Sequence, residues 1–123
     1  MTILTYGHLA NEAMKCAEQL TEQGVEAKVL RLLTVSPLPV REILEQLDNC
    51  KHLLIAEEAC TGSGIHEALS WLLRNERPDL SIHAVDLGGN FVTHGNIGRL
   101  YEQCGLDSQS MTNTILEVLK NEN

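Results

Sequence analysis

The chain has 123 residues, with nine Lys and Arg against seventeen Asp and Glu, for a net charge of −8. That length fits one domain, residues 1–123, with a core large enough to stand without staples. The acidic balance excludes a nucleic-acid or anionic-membrane surface, because both need clustered cations. Aromatic residues make up only 3%, so the core is aliphatic and no stacking wall for bases or sugars is available.

Ile3-Leu4-Thr5-Tyr6 reads as a short buried strand ended by Gly7. This opening stretch is too short, and lacks the basic start, to be a secretory signal. Leu9, Ala13, Cys16, Ala17 and Leu20 recur at helical spacing, with Glu12, Lys15, Glu18 and Gln19 on the other face. Gly24 closes that helix. Residues 27–33 form a second strand. Pro37 and Pro39 punctuate the next loop, and Pro39 suits the first turn of a helix. Val40, Ile43, Leu44 and Leu47 make that helix's buried stripe.

Residues 52–56 form a third strand, which runs into Glu57-Glu58 and the turn Thr61-Gly62-Ser63-Gly64. Ile65, Ala68, Leu69, Leu72 and Leu73 make a third amphipathic helix. Residues 81–87 form a fourth strand. A loop through His94-Gly95 leads to a short helix over 97–104, and Ser108 is placed to cap a last helix running to 120. Alternating strands and helices imply parallel strands, right-handed crossovers and helices on both faces. The strands read as continuous apolar runs, as in a sheet covered on both sides. The expected fold is a three-layer α/β/α domain with a mainly parallel four-stranded sheet, order 2-1-3-4. No apolar run reaches the roughly 20 residues of a membrane-spanning helix, and a cytoplasmic location is expected.

The order 2-1-3-4 puts a switch point between the ends of strands one and three, where ligands or partners meet open α/β sheets. His8, Glu57, Glu58, Gly62, Ser63 and Gly64 gather there, and His94 lies in a loop at a strand end. Neighbours on a strand point to opposite faces, so one of the paired carboxylates faces inward. An inward carboxylate serves as a general base, a hydrogen-bond acceptor or an interface group. The last two roles are the commoner ones. Gly62-Ser63-Gly64 opens a helix whose backbone N–H groups can hold a phosphate, or it is simply a tight turn. It lacks the third glycine of a dinucleotide fingerprint, and no P-loop lysine follows.

The five histidines and four cysteines show neither a metal-pair nor a CxxC spacing. The cysteines therefore read as small buried hydrophobes in a reducing compartment. His52 and His83 fall inside strands, and His66 sits one turn into the third helix. No G-x-S-x-G elbow occurs. A receiver domain would need acids after the first strand, where Tyr6-Gly7-His8 stands. No nucleophile–base constellation is present, so the isolated chain is not expected to be a catalyst.

The ordered set of motifs resembles a known family. Ile3-Leu4-Thr5-Tyr6-Gly7, with Asn11-Glu12-Ala13, is similar to the opening of the transketolase C-terminal domain. The second strand, the Val35-Ser36-Pro37-Leu38-Pro39 loop, and Leu54-Ile55-Ala56-Glu57-Glu58 with Gly62 and Gly64 continue the match. Phe91-Val92-Thr93-His94-Gly95 and Cys104-Gly105-Leu106-Asp107 look most like the 1-deoxy-D-xylulose-5-phosphate synthase branch. Pro39 replaces the usual Asp, and Leu87-Gly88-Gly89-Asn90 replaces a more polar approach to the Phe.

The resemblance implies a structural and interface role in a thiamine-diphosphate-dependent transferase. The thiamine diphosphate and Mg²⁺ would be bound by other domains or a partner subunit, in a homo-dimeric or hetero-oligomeric assembly. No Gly-Asp-Gly motif occurs here. The alternative is a stand-alone metabolite-binding or regulatory module that kept the fold without catalysis, using the crevice at the glycine-rich turn.

Overall fold

A computed structural model describes residues 1–59, 62–88 and 97–121, with the side chains of 97–100 left aside. The elements in chain order are β1 (Thr2–Tyr6), α1 (Leu9–Glu22), β2 (Lys28–Leu32), α2 (Val40–Gln46), β3 (His52–Ala56), α3 (His66–Glu76), β4 (Ser81–Val85), α4 (Ile97–Cys104) and α5 (Ser108–Asn121). The sheet order is β2-β1-β3-β4, and every pairing is parallel. The expected architecture is therefore observed.

Alternation along the strands divides the core in two. Ile3 and Leu54 join Leu9, Ala13, Cys16 and Leu20 of α1 and Met111 and Ile115 of α5 on one face. Leu4, Leu53 and Ile55 join Ile43 of α2 and Leu69 and Leu73 of α3 on the other. Burying a side chain of this kind is worth roughly 1.5–3 kcal/mol, so both half-cores are needed to hold the layers. Among the described residues no helix is long and apolar enough to cross a membrane.

The helix ends show which local signals act. Gly24 has φ 81°; its N–H donates to Thr21 O, and Val25 N–H reaches back to Leu20 O. This is a Schellman closure, which needs a left-handed residue after the helix. Asn49 takes the corresponding left-handed conformation beyond α2, at φ 65°, a position Asn tolerates better than other side-chain-bearing residues.

Two local expectations are corrected. Pro39 stands immediately before α2, as its N-cap residue, and not inside the first turn. Its φ of −81° and ψ of 67° leave the helix to begin at Val40. At α5 the cap is Asp107, not Ser108: Asp107 Oδ2 accepts from Ser110 N–H at 3.1 Å. Ser108 is already in the helix, and its N–H donates to Glu12 Oε2 on α1 at 2.9 Å. Removing a side-chain cap costs about 1 kcal/mol. Asp107→Ala is therefore expected to lower stability by about that much in a denaturant melt and Ser108→Ala by clearly less; the reverse order would return the cap to Ser108.

The strands β2 and β4 are shorter than expected. Leu33 is 92% exposed and outside the sheet. Beyond Val85, Asp86 folds its carboxylate onto Gly88 N–H at 2.8 Å, which ends the run.

Candidate functional site

The pairing of β1 with β3 sets Leu4 beside Ile55. Two residues further on, the same alternation brings Tyr6 alongside Glu57. Glu57 is 2% exposed, so its charge must be matched locally. Its Oε2 accepts from the Tyr6 hydroxyl at 2.9 Å and from Ile65 N–H at 2.7 Å. Its Oε1 accepts from His66 N–H at 2.8 Å. Two of the three donors are backbone groups at the start of α3, where unsatisfied N–H groups and the helix dipole favour an anion. Glu57 is thus an N-terminal anchor of α3 supplied from a strand.

Gly64 makes this anchor possible. A Cβ there would lie 2.0 Å from Glu57 Oε2. The carboxylate occupies the space that any other residue would fill. The donors that an exogenous phosphate would use at this turn are the ones Glu57 already holds.

Glu58 turns to the opposite face, as strand alternation requires. It is exposed and accepts a hydrogen bond from the hydroxyl of Tyr101 on α4. The two adjacent carboxylates thus each receive a tyrosine, one from β1 and one from α4. Burial, then the bond to Glu57 and the charges of Glu57 and Glu58, push the Tyr6 phenol up to about 12. Burial, the bond to Glu58 and the nearby carboxylates of Glu58 and Glu12 push Tyr101 up as well, beyond the ordinary phenol range.

Raised folded-state values mean that the neutral phenols stabilise the fold. That stabilisation is full below the unfolded value near 10 and is lost as pH rises through about 12. Tyr6 and Tyr101 are the only two tyrosines, so ultraviolet titration reads them directly. At pH 10 the native protein is expected to show almost no tyrosinate absorbance, and the signal to appear together with loss of helical circular dichroism. Half-titration at pH 10 in a still-folded chain would contradict this.

The remaining expected residues are placed as follows. His8 is exposed at the start of α1 and makes no side-chain cap. Gly62 and Ser63 are exposed on the turn before α3. His94 lies outside the described residues. His66 is the first residue of α3 and not one turn in. The rings of His52 and His83 stack across β3 and β4 at 6.5 Å. Among the described residues Cys16 and Cys50 are buried free thiols and Cys104 a partly buried one.

Sequence reasoning missed Tyr6 and Tyr101 as partners of the carboxylate pair. The signal for Tyr6 was available: parallel register between strands one and three, carried two residues past Leu4, sets it against Glu57. No comparable signal existed for Tyr101, which is 43 residues from Glu58 and on a helix whose docking the pattern leaves open. Among the described residues no three His, Cys, Asp or Glu side chains converge to hold a metal ion.

Comparison with known proteins agrees with this architecture. The chain matches the family model "Transketolase, C-terminal domain" over residues 1–111. It is 28% identical to the 1-deoxy-D-xylulose-5-phosphate synthase of Chlorobaculum tepidum, over 98% of this chain and 19% of that protein. It is 32% identical to the pyruvate dehydrogenase E1 component subunit beta of Bacillus subtilis, over 68% of this chain and 26% of that protein. Among solved structures it resembles one described as a split gene transketolase, inactive beta4 tetramer. That match has a TM-score of 0.79 at 24% identity, covers 97% of this chain and 39% of the other, and bears on the fold alone. The chain spans about a fifth of the length of the synthase it matches. By the family match over nearly its whole length, it belongs to the transketolase C-terminal domain family.

Proposed function

We propose that this chain is the structural and interface part of a thiamine-diphosphate-dependent transketolase-type transferase, of the 1-deoxy-D-xylulose-5-phosphate synthase kind. The complete enzyme would condense pyruvate with glyceraldehyde 3-phosphate. The observation that carries the reading is the match across 98% of the chain to a domain forming 19% of a named synthase. The cofactor's chemistry, ketol transfer through the thiazolium ring, belongs to the other four-fifths of such an enzyme. The residues present here do not fit thiamine diphosphate and its Mg²⁺: there is no Gly-Asp-Gly motif, and the described side chains offer no converging ligand set. No catalytic step is assigned to this chain.

Its own contribution is rigidity at the C-terminal edge of the sheet. Glu57 and Gly64 fix the turn into α3, and Tyr6 ties that turn to β1. The exposed His8, Glu58, Gly62 and Ser63 then stand on a fixed frame facing outward, and they form the seam toward the cofactor-binding domains or subunit. The competing use of the turn, capture of an anionic metabolite, finds its backbone donors held by Glu57.

The test is a gentle pull-down of the tagged chain from its native host, with co-purifying polypeptides identified by mass. Recovery with the cofactor-binding domains, as a companion or in one longer polypeptide, is expected. Recovery without them would overturn the reading. Titration of the isolated chain with thiamine diphosphate and Mg²⁺ should give no saturable heat by calorimetry, and tight binding would refute the assignment of the cofactor to a partner.

A further inference from the structure

We infer that the outer face of α3 is a contact between two copies of this chain, packed antiparallel across a twofold axis beside Trp71. Such a contact is independent of what the whole enzyme catalyses.

α3 turns Leu69, Ser70 and Leu73 inward. Its opposite stripe is exposed: Glu67, Ala68, Trp71, Arg74 and Asn75 follow one another at one helical face. Trp71 stands 68% exposed at the middle of that stripe. It is the only tryptophan in a chain with 3% aromatic residues, and the only aromatic among the four large hydrophobic residues exposed in the described part. An indole carries a large area that gains from leaving water, and tryptophan is enriched at the energetic centres of protein contacts.

Charge selects the occupant. Trp71 is the central residue of α3, His66–Glu76. Glu67 lies one turn before it, and Arg74 nearly one turn after. Neither has an ion-pair partner among the described residues. Two such helices laid antiparallel set Glu67 of each copy against Arg74 of the other, with the two indoles between these pairs. The helix dipoles then run opposed, which favours the same arrangement. A parallel pair would set Glu67 against Glu67 and Arg74 against Arg74. The stripe is thus neutral and complementary to itself, within a chain of net charge −8. Repulsion between the two whole chains is screened over about 10 Å at 0.1 M salt. The small side chain of Ala68 lets the helices approach. A single stripe on a helix of 11 residues is at the small end of specific interfaces, so the dimer is weak and depends on concentration.

Sedimentation of the chain over a range of concentrations tests this, with the emission of Trp71 read alongside. Self-association and a blue shift of the emission are expected to rise together. Trp71→Ala should stay monomeric and keep the melting temperature of the dilute chain, since the indole stands mostly in water. Glu67→Arg and Arg74→Glu should each weaken self-association by roughly tenfold or more, because each sets like charges against one another. Mixing those two variants should restore it, as a mixed dimer in which every contact is again between opposite charges. A chain that stays monomeric at millimolar concentration would overturn the contact. Self-association that survives Trp71→Ala would put it on another face and overturn it as well. Charge variants that do not recover on mixing would refute the antiparallel pairing. Emission that shifts only when a companion bearing the cofactor domains is added would give the face to that companion; the second copy would then be overturned and the proposed function spared.

Discussion

Replacing Glu57 with alanine is expected to lower the melting temperature by roughly 10–15 °C. The change strips the acceptor from three donors at once: the Tyr6 hydroxyl and the N–H groups of Ile65 and His66. Hydrogen bonds to a charged group are worth about 1.5–3 kcal/mol each, and donors left buried without a partner cost more than the bond alone. The start of α3 also loses the anion that its dipole favours. Water can reach part of the gap, since Tyr6 and Ile65 are only half-buried. A net cost of roughly 3–5 kcal/mol follows. Against a domain stability of about 5–15 kcal/mol that is a large fraction. Glu57→Gln keeps one acceptor oxygen and turns an amide donor toward the helix start, so it should fall between. A thermal melt followed by circular dichroism decides, and a shift under roughly 3 °C for the alanine variant would show that the carboxylate is not an anchor.

Gly64→Ala should cost nearly as much, although it adds only a methyl group. The new Cβ would stand 2.0 Å from Glu57 Oε2, 2.7 Å from Cδ and 2.9 Å from Oε1. No rotamer of alanine avoids this, so either the carboxylate leaves its donors or the turn moves. A cost of roughly 3 kcal/mol is expected, close to deleting the carboxylate itself. The decisive comparison is the double variant. Once Glu57 is alanine the space is empty, and Gly64→Ala should then be almost neutral, with a coupling of roughly 2–3 kcal/mol. Gly62→Ala makes a useful contrast. Its added Cβ meets nothing within 4 Å, but the residue has φ +90°, so only the backbone penalty of about 1–2 kcal/mol remains. Additive behaviour of Glu57 and Gly64 would mean that they do not share one space.

The element order and sheet topology were legible because local signals agreed with the global fold. Continuous apolar runs marked the buried parallel strands, 3.6-residue spacing marked α1, α2 and α3, and Gly24 marked a helix end. Errors arose where one short side chain competes with its neighbour. Asp107 and Ser108 are both good caps by type, and only the tertiary bond from Ser108 N–H to Glu12 decides between them. The residues of the site were legible as a group, since Glu57, Glu58 and Gly64 cluster in a strand–turn–helix junction. Their roles were not. A buried carboxylate reads the same in sequence whether it is a base, an interface group or a helix anchor; only its three donors tell them apart. Tyr101 was hidden for a different reason, as its contact depends on how α4 packs. The long-range ties of Arg77, whose guanidinium donates to Leu47 O and Cys50 O at 2.9 and 2.6 Å, were equally out of reach of periodicity.

The division of the core into two half-cores also governs how the chain matures as it is synthesised. The half-core under α2 and α3 is complete once residue 80 has emerged, since its last buried member is Leu80. The half-core under α1 waits for Met111 and Ile115. A nascent chain therefore passes through a stage in which one face of the sheet is clothed and the other is covered by α1 alone, without Met111 and Ile115 of α5. That interval, about 35 residues of elongation, lasts a few seconds at ordinary translation speeds. It is the stage at which a chaperone has most to bind, and at which a truncated transcript would leave a sticky half-domain rather than an unfolded one.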